Sequence, residues 1–467
     1  MKKFVAIVPL IFLLSAFSLF AGETARLVFP KTDAGERAAA FFEAFNGADE
    51  KDMKAFFESN FTAEALKTRP MDERMAMHRG AKSDLTTLEP VKIMEATEDA
   101  ITVAARSGSG EWLELAFTFE VAKPHKLLRI EIQMTAEPNL EEPTGPLSEA
   151  DIAAKTEAYL EDLVARDEFS GVVLVAKGDT PVLERAYGLA SQEYDVPNRA
   201  DTRFNLGSIN KFFTRIAIEQ LAGQKKLSLD DTIGKYLADY TNKDAAAKVT
   251  IAHLLEMTGG IGDFFGQKFD ATPKDRIRTL ADYLPLFADQ PLHFEPGSKR
   301  EYSNGGYVVL GLIIEKASGQ DYYDYVQENI CRPAGMTRTG HLDADIPAED
   351  VASGYTRAWD GKEHPGEPRR NNLYTRPARG SSAGGGYSTA EDLLKLVTAL
   401  ESGKLAAPEA ARFAANGMGI AGGAPGISAS VETLPKKGYT VIVLSNYDPP
   451  TSEKVARKIG SWVKRID

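Results

Sequence analysis

Two runs rich in β-branched residues, FSGVVLVAKG and PVLERAYGLAS, follow the helical segment SEADIAAKTEAYLEDLVARD near Glu149. Two more, ISASVETLP and YTVIVLSNY, joined by the turn KKG, come just before the C-terminal helical segment SEKVARKIGSWVKRI. The residues between are mostly helical and loop in pattern. Strands at both ends of one stretch with helices between constrain the fold strongly, because unpaired strands cannot stand alone in water. They must meet in one antiparallel sheet assembled from both ends and covered by helices, an α+β arrangement within the broad α/β class.

The stretch before it reads differently. GERAAAFFEAFNG places Ala38, Ala39, Phe41, Phe42 and Phe45 at helical spacing, with Gly47 as a stop. EKDMKAFFESNF and MDERMAMHRGAK are two further short helices. VKIMEAT, AITVAARS, EWLELAFTFEV and KLLRIEIQMT then follow as four strands divided by turn residues. This order resembles the nuclear transport factor 2-like cone fold. AEPNLEEPTGP has little to bury and reads as a linker. The expected division is a leader over 1–22, a small α+β domain over 27–135, a linker over 136–147 and a larger domain over 148–467. No internal repeat is visible.

The leader expectation rests on Lys2 and Lys3, an apolar run from Phe4 to Phe20, and the small residues Ala21 and Gly22. That is the pattern of a cleaved secretory signal; the alternative is an uncleaved anchor. A periplasmic or secreted protein follows, with no stable membrane insertion after cleavage. Of 467 residues, 43% are hydrophobic and 26% charged, and the net charge is -12, which makes nucleic acid an unsuitable partner. The single cysteine, Cys331, excludes an internal disulfide framework and a cysteine zinc cluster.

Three stretches carry chemistry. In FNLGSINKFFTRIAIEQLAG, Ser208 opens an apolar helix and Lys211 follows at i+3 on the same face. A serine hydroxyl needs a base to become a nucleophile, and a lysine among apolar residues loses proton affinity. The plainer alternative is an N-cap serine beside a solvated lysine. In REYSNGGYVVLGLIIEKASG, Tyr302 and Asn304 stand at the start of another apolar helix, where the dipole is expected to lower the Tyr302 pKa. In GIAGGAPGISASVETLP, Gly422 and Gly423 at the start of a strand allow close backbone approach, so a strand N–H there and that of Ser208 can form an oxyanion hole.

GSINK, YSN and GGAPG, in this order, resemble the serine β-lactamase-like superfamily, in the branch of class C β-lactamases, D-alanyl-D-alanine carboxypeptidases and related esterases. TIAHLLEMTGGIGD and AGGGYSTAEDLLKLVTAL resemble its flanking helices and loops, so the likeness covers about Glu149 to Ile466. It implies a β-lactamase/transpeptidase-like fold. It also implies a serine hydrolase, with Ser208 as acylated nucleophile, Lys211 in its proton network and Tyr302 as general base and then acid. Asn304 would hold a substrate polar group, and the Ser208 and Gly423 N–H groups, beside Gly422, would hold the oxyanion. The substrate would be a small ester, amide or peptide, with no cofactor and no metal. One motif departs from the pattern: where the family has Lys or His, then any residue, then Gly, this chain has Ile420, Ala421 and Gly422. Carboxylate recognition loses its cation, which favours an ester or uncharged acyl substrate. The alternative is a non-catalytic penicillin-binding-type receptor or scaffold that kept the fold. Two lookalikes lack their context: GSSAG around Ser382 has no preceding strand and no later histidine, and GMGIAG precedes a strand rather than a helix. His253, on the apolar IAHLLEM helix, reads as a core residue.

Overall fold

A computed structural model describes residues 27–96, 99–120, 122–135 and 145–466. The leader and most of the expected linker lie outside these residues. The chain divides into two compact units, Met1–Thr144 and Gly145–Asp467. Among the described residues no helix is long and apolar enough to cross a membrane.

The first unit has four helices, α1 (Asp33–Asn46), α2 (Glu50–Asn60), α3 (Ala63–Thr68) and α4 (Met71–Leu85). The strands β1 (Leu88–Ala96), β2 (Ala100–Ser107), β3 (Trp112–Phe119) and β4 (Leu127–Met134) form one antiparallel sheet in sequential order. Thr32 caps α1 and Asp49 caps α2 through their side chains, and Gly47 follows α1 as its spacing required. The short α3 is one helix more than the periodicity gave, because six residues are too few to show a repeat. Phe41, Phe42, Phe45 and Phe56 pack with Leu113, Leu115 and Phe117 in this unit's own core.

In the second unit, α5 (Glu149–Ala165) starts on a capping box between Ser148 and Asp151. It leads into β5 (Gly171–Lys177) and β6 (Thr180–Tyr187). Far along the chain come β7 (Gly419–Ala424), β8 (Ile427–Leu434) and β9 (Tyr439–Ser445). The five strands pair antiparallel in the order β7-β8-β9-β5-β6, so both ends of the stretch meet where β9 pairs β5. This is the expected sheet. Its central strands are buried on both faces, and their side chains divide with period two. Val172, Leu174, Ile442 and Leu444 join the large helical core, while Val173, Val175, Val441 and Val443 pack under α5 and the C-terminal helix Thr451–Val463.

The large core holds two helices that are buried nearly all round. They are α6 (Asn210–Gly223) and α7 (Asn304–Ser318), and they pack on one another. Burial on all sides fixes where each begins, and their first turns are where the polar residues of both stretches gather.

Candidate active site

Ser208 lies in a 3₁₀ turn, Gly207–Ile209, that runs into α6 at Asn210. It makes no capping bond, so the expected N-cap alternative is not the arrangement found. The turn needs Gly207, whose φ is +49° and whose added Cβ would stand 2.8 Å from the Gly423 nitrogen. Opposite it, a Cβ on Gly422 would fall 2.0 Å from the Leu206 carbonyl oxygen and 2.7 Å from the Ser208 nitrogen. The edge strand β7 therefore lies backbone against backbone on the serine turn. The two glycines sit inside β7, not at the start of a strand, because the pairing with β8 begins at Gly419. Ile420 shares the inward face with Gly422 and packs against the large core.

One helical turn on, Lys211 is 7% exposed, surrounded by the apolar residues of α6 and α7. Its Nζ lies 3.1 Å from Ser208 Oγ, 2.6 Å from Asn304 Oδ1 and 2.7 Å from the Ala383 carbonyl oxygen. Burial lowers its pKa from the ordinary 10.5 to about 7, opposed by the negative charge of Asp263. That shift disfavours the ammonium by on the order of 5 kcal/mol. Hydrogen-bond counting then assigns the geometry. An ammonium has three hydrogens and no lone pair, whereas the neutral amine has two hydrogens and one lone pair. The Ala383 carbonyl and Asn304 Oδ1 accept only, so they take both hydrogens. The lone pair of the neutral amine is left for Ser208 Oγ.

That reasoning requires the Asn304 amide to be held one way round, and Asp263 holds it. Asn304 Nδ2 donates to Asp263 Oδ2 at 2.6 Å, which a flipped amide could not do. The carboxylate is itself placed by the backbone N–H of Phe265, 3.0 Å from Oδ1. The same loop is tied to the start of α7. Ser303 caps that helix by accepting from the Gly306 N–H at 2.8 Å, and its hydroxyl donates to the Gly262 carbonyl at 3.1 Å. Asn304 keeps one Nδ2 hydrogen beyond these contacts.

Tyr302 is the residue before that cap. Its hydroxyl is 2.5 Å from Ser208 Oγ, and Lys211 Nζ lies 4.7 Å from its ring centre. The helix dipole was expected to lower its pKa. The opposite holds: partial burial raises it, with the Ser208 bond working the other way and Asp263 adding to the rise. The phenol therefore stays protonated at neutral pH. Tyr302 lies outside the first turn of α7, where the dipole has fallen off.

The structure thus brings Ser208, Lys211, Tyr302 and Asn304 into one hydrogen-bonded cluster, with Gly422 and Gly423 on the adjacent strand. It adds groups the sequence reading did not assign. Asp263 sits in the quoted TGGIGD segment, but nothing local shows that it faces Asn304. The loop before Tyr387 contributes the Ala383 carbonyl, and Asn210 Oδ1 pins that loop by accepting from the Gly386 N–H at 2.6 Å. Ser382 of GSSAG is fully buried and donates to the Tyr307 carbonyl at 2.8 Å, so it is a packing serine. His253 is not a core residue: it is half-buried, and its Nδ1 accepts from the Thr250 N–H in a capping box. Arg369, Arg370 and Arg379 of the long polar loop stack on Tyr447, Trp359 and Tyr323 respectively.

Residues 156–461 match the family model described as Beta-lactamase. The chain belongs to that family. It is 30% identical over 310 residues to esterase EstB of Burkholderia gladioli, an alignment that covers 60% of this chain and 79% of that one. It is 33% identical over 185 residues to penicillin-binding protein 4* of Bacillus subtilis, covering 39% of this chain and only 40% of that relative's length. Among solved structures, the penicillin binding protein of Bacillus halodurans superposes with a TM-score of 0.58 at 30% identity, over 65% of this chain and 99% of that one. The family match begins at residue 156 and leaves the first unit unmatched.

The close seat of β7 on the serine turn gives a direct test. Gly422→Ala places a methyl carbon against the Leu206 carbonyl, and overpacking of this kind costs about 1–3 kcal/mol. Thermal unfolding of this variant is expected a few degrees below wild type, while Gly419→Ala, which meets nothing within 4 Å, is expected to leave it unchanged.

Proposed function

We propose that this protein is an exported serine hydrolase that forms an acyl-enzyme on Ser208 and hydrolyses a small ester or amide. The observation that carries the reading is the buried Lys211 amine 3.1 Å from Ser208 Oγ, with two acceptors, Asn304 Oδ1 and the Ala383 carbonyl, placed to take the hydrogens of its neutral form. In this reading Ser208 Oγ attacks the substrate carbonyl carbon and its proton passes to Lys211 Nζ. The oxyanion of the tetrahedral intermediate is stabilised by the N–H groups of Ser208 and Gly423. Tyr302, protonated at rest, gives its hydroxyl proton to the leaving oxygen or nitrogen as that bond breaks, and Lys211 returns a proton to Tyr302. Water then attacks the acyl carbon with Lys211 as base, releasing the acid and restoring the hydroxyl. Tyr302 thus serves as the acid more than as the first base, because its raised pKa leaves little phenolate to accept a proton.

Ile420 supports the ester or uncharged class of substrate. It puts an apolar side chain on the inward face of β7, where the family pattern has a cation. A substrate carboxylate would lose hydration there without the cation of the family motif at position 420 to offset the loss. The same missing cation is what a non-catalytic scaffold would also show, and acylation separates the two. A fluorophosphonate should add its phosphonyl group to the wild-type mass. Ser208→Ala should show no adduct and a loss of ester hydrolysis of about three orders of magnitude or more. An adduct retained on Ser208→Ala would remove the nucleophile assignment, and no adduct on wild type would favour the scaffold.

The pH dependence has a definite sign. Below about 7 Lys211 is an ammonium without a lone pair, so kcat/KM for an ester should fall as pH drops through that value. Asp263 raises the Lys211 pKa, so Asp263→Asn should move the acid limb to lower pH. A limb that stays in place or moves up would dissociate Asp263 from Lys211.

Ile420→Lys should improve the binding of a carboxylate-bearing cephalosporin by about 1–3 kcal/mol, the value of a charge-assisted hydrogen bond, and leave a short neutral ester nearly unaffected. Efficient cephalosporin turnover by the wild type would contradict the substrate class.

A further inference from the structure

The first unit contains an open chamber of about 740 Å³ between α3, α4 and β4. Its floor is apolar, with Phe41, Phe45, Met53, Phe57 and Phe61, and its wall on β4 is Leu128, Ile130 and Ile132. The size and lining suit a small-molecule site.

Helix α4 is unusual for a helix on an aromatic core. Of its 15 residues only Met75 is buried. Arg74, Met77, His78, Ala81 and Leu85 recur at helical spacing and all line the chamber. Met77 is 54% exposed, and Leu128 across the chamber is 44% exposed. Among the described residues of this unit, the inward face of α4 thus lines a cavity instead of packed side chains.

Two polar groups on that face have unused donors or acceptors. Arg74 is half-buried, and no carboxylate oxygen comes within ion-pair distance of it among the described residues. Its Nε donates to the Arg69 carbonyl at 2.9 Å and one terminal nitrogen to the Ala65 carbonyl at 2.5 Å, with the guanidinium 4.4 Å from the Phe61 ring centre. The other terminal nitrogen makes no hydrogen bond among the described residues. By contrast, Arg69 at the rim pairs with Glu73 at 3.6 Å, and Arg129 pairs with Glu131 at 3.5 Å. His78, one turn from Arg74, stands edge-on to Phe45 at 5.4 Å and makes no hydrogen bond among the described residues. Burial lowers its pKa, so the imidazole is neutral at pH 7 and can donate or accept. Glu64 is the acidic lining residue outside these pairs, and it is exposed at the mouth.

From this juxtaposition we infer that the chamber binds a long-chain carboxylate amphiphile. Its apolar chain lies on the phenylalanine floor, and its carboxylate accepts from the free nitrogen of Arg74 and from His78. A half-buried guanidinium without a counter-ion in an apolar chamber is best satisfied by an anion carried on an apolar body.

The test uses the full chain and the fluorescence of cis-parinaric acid, displaced by oleate or by oleyl alcohol. Wild type should enhance parinarate fluorescence, and oleate should displace it at lower concentration than the alcohol. Arg74→Gln should weaken oleate about tenfold and leave the alcohol unchanged, as for loss of one charge-assisted contact. Arg74→Lys should retain most of the oleate affinity, and Ala81→Phe, which projects a ring into the chamber, should weaken binding of both. Far-UV circular dichroism on each variant establishes that it is folded. Absence of displaceable parinarate, binding unchanged by Ala81→Phe, or equal loss of acid and alcohol in a folded Arg74→Gln would overturn the assignment.

Discussion

Burial of one lysine amine between two apolar helices is the constraint on which the site depends. A lysine in water is an ammonium with no lone pair. At 7% exposure and with its pKa brought to about 7, Lys211 can hold either form near neutral pH. Burial alone would give a lysine of altered basicity with no direction. Direction comes from the two acceptors, Asn304 Oδ1 and the Ala383 carbonyl, which occupy both amine hydrogens and leave Ser208 as the remaining partner. Each acceptor is held by something further out. Asp263 orients the amide, and Asn210, at the head of α6, fixes the loop that carries Ala383.

The fold supplies these parts from segments remote in sequence. Ser208 and Lys211 come from the start of α6, Tyr302 and Asn304 from the start of α7, Ala383 from the loop before Tyr387, and Gly422 and Gly423 from β7. What aligns them is the sheet assembled from both ends of the second unit. Pairing of β5 with β9 sets β7 at the edge, and the absence of side chains at Gly207 and Gly422 lets that edge rest on the serine turn. Both helices are buried nearly all round in the core, so their polar first turns are presented together at its margin.

Much of this was legible in the chain. The strand runs around Val173 and Val443 carry a period and a composition that leave few choices. Spacing placed Ser208 with Lys211, and Tyr302 with Asn304, on helix starts. Properties set by contacts between segments were not legible. The Tyr302 pKa depends on how its hydroxyl end is enclosed, which outweighs the dipole that local sequence suggests. Asp263 follows a glycine-rich loop whose path no periodicity reveals. The placement of Gly422 within β7 depended on pairing with β8, and glycine runs conceal strand character. In the first unit, the cavity-lining face of α4 was equally hidden, since no local pattern shows which way Arg74 and His78 face.

The central claim is that Lys211 exchanges its proton near neutral pH. Lysine labelled with ¹³C at Cε reports this directly, with Lys211→Met used to assign the resonance. One Cε signal, absent from Lys211→Met, is predicted to titrate near pH 7, far below the ordinary lysine value of about 10.4. If the Lys211 signal moves only near the ordinary lysine value of about 10.4, the amine is an ammonium throughout the working range, and the account of Ser208 activation is wrong.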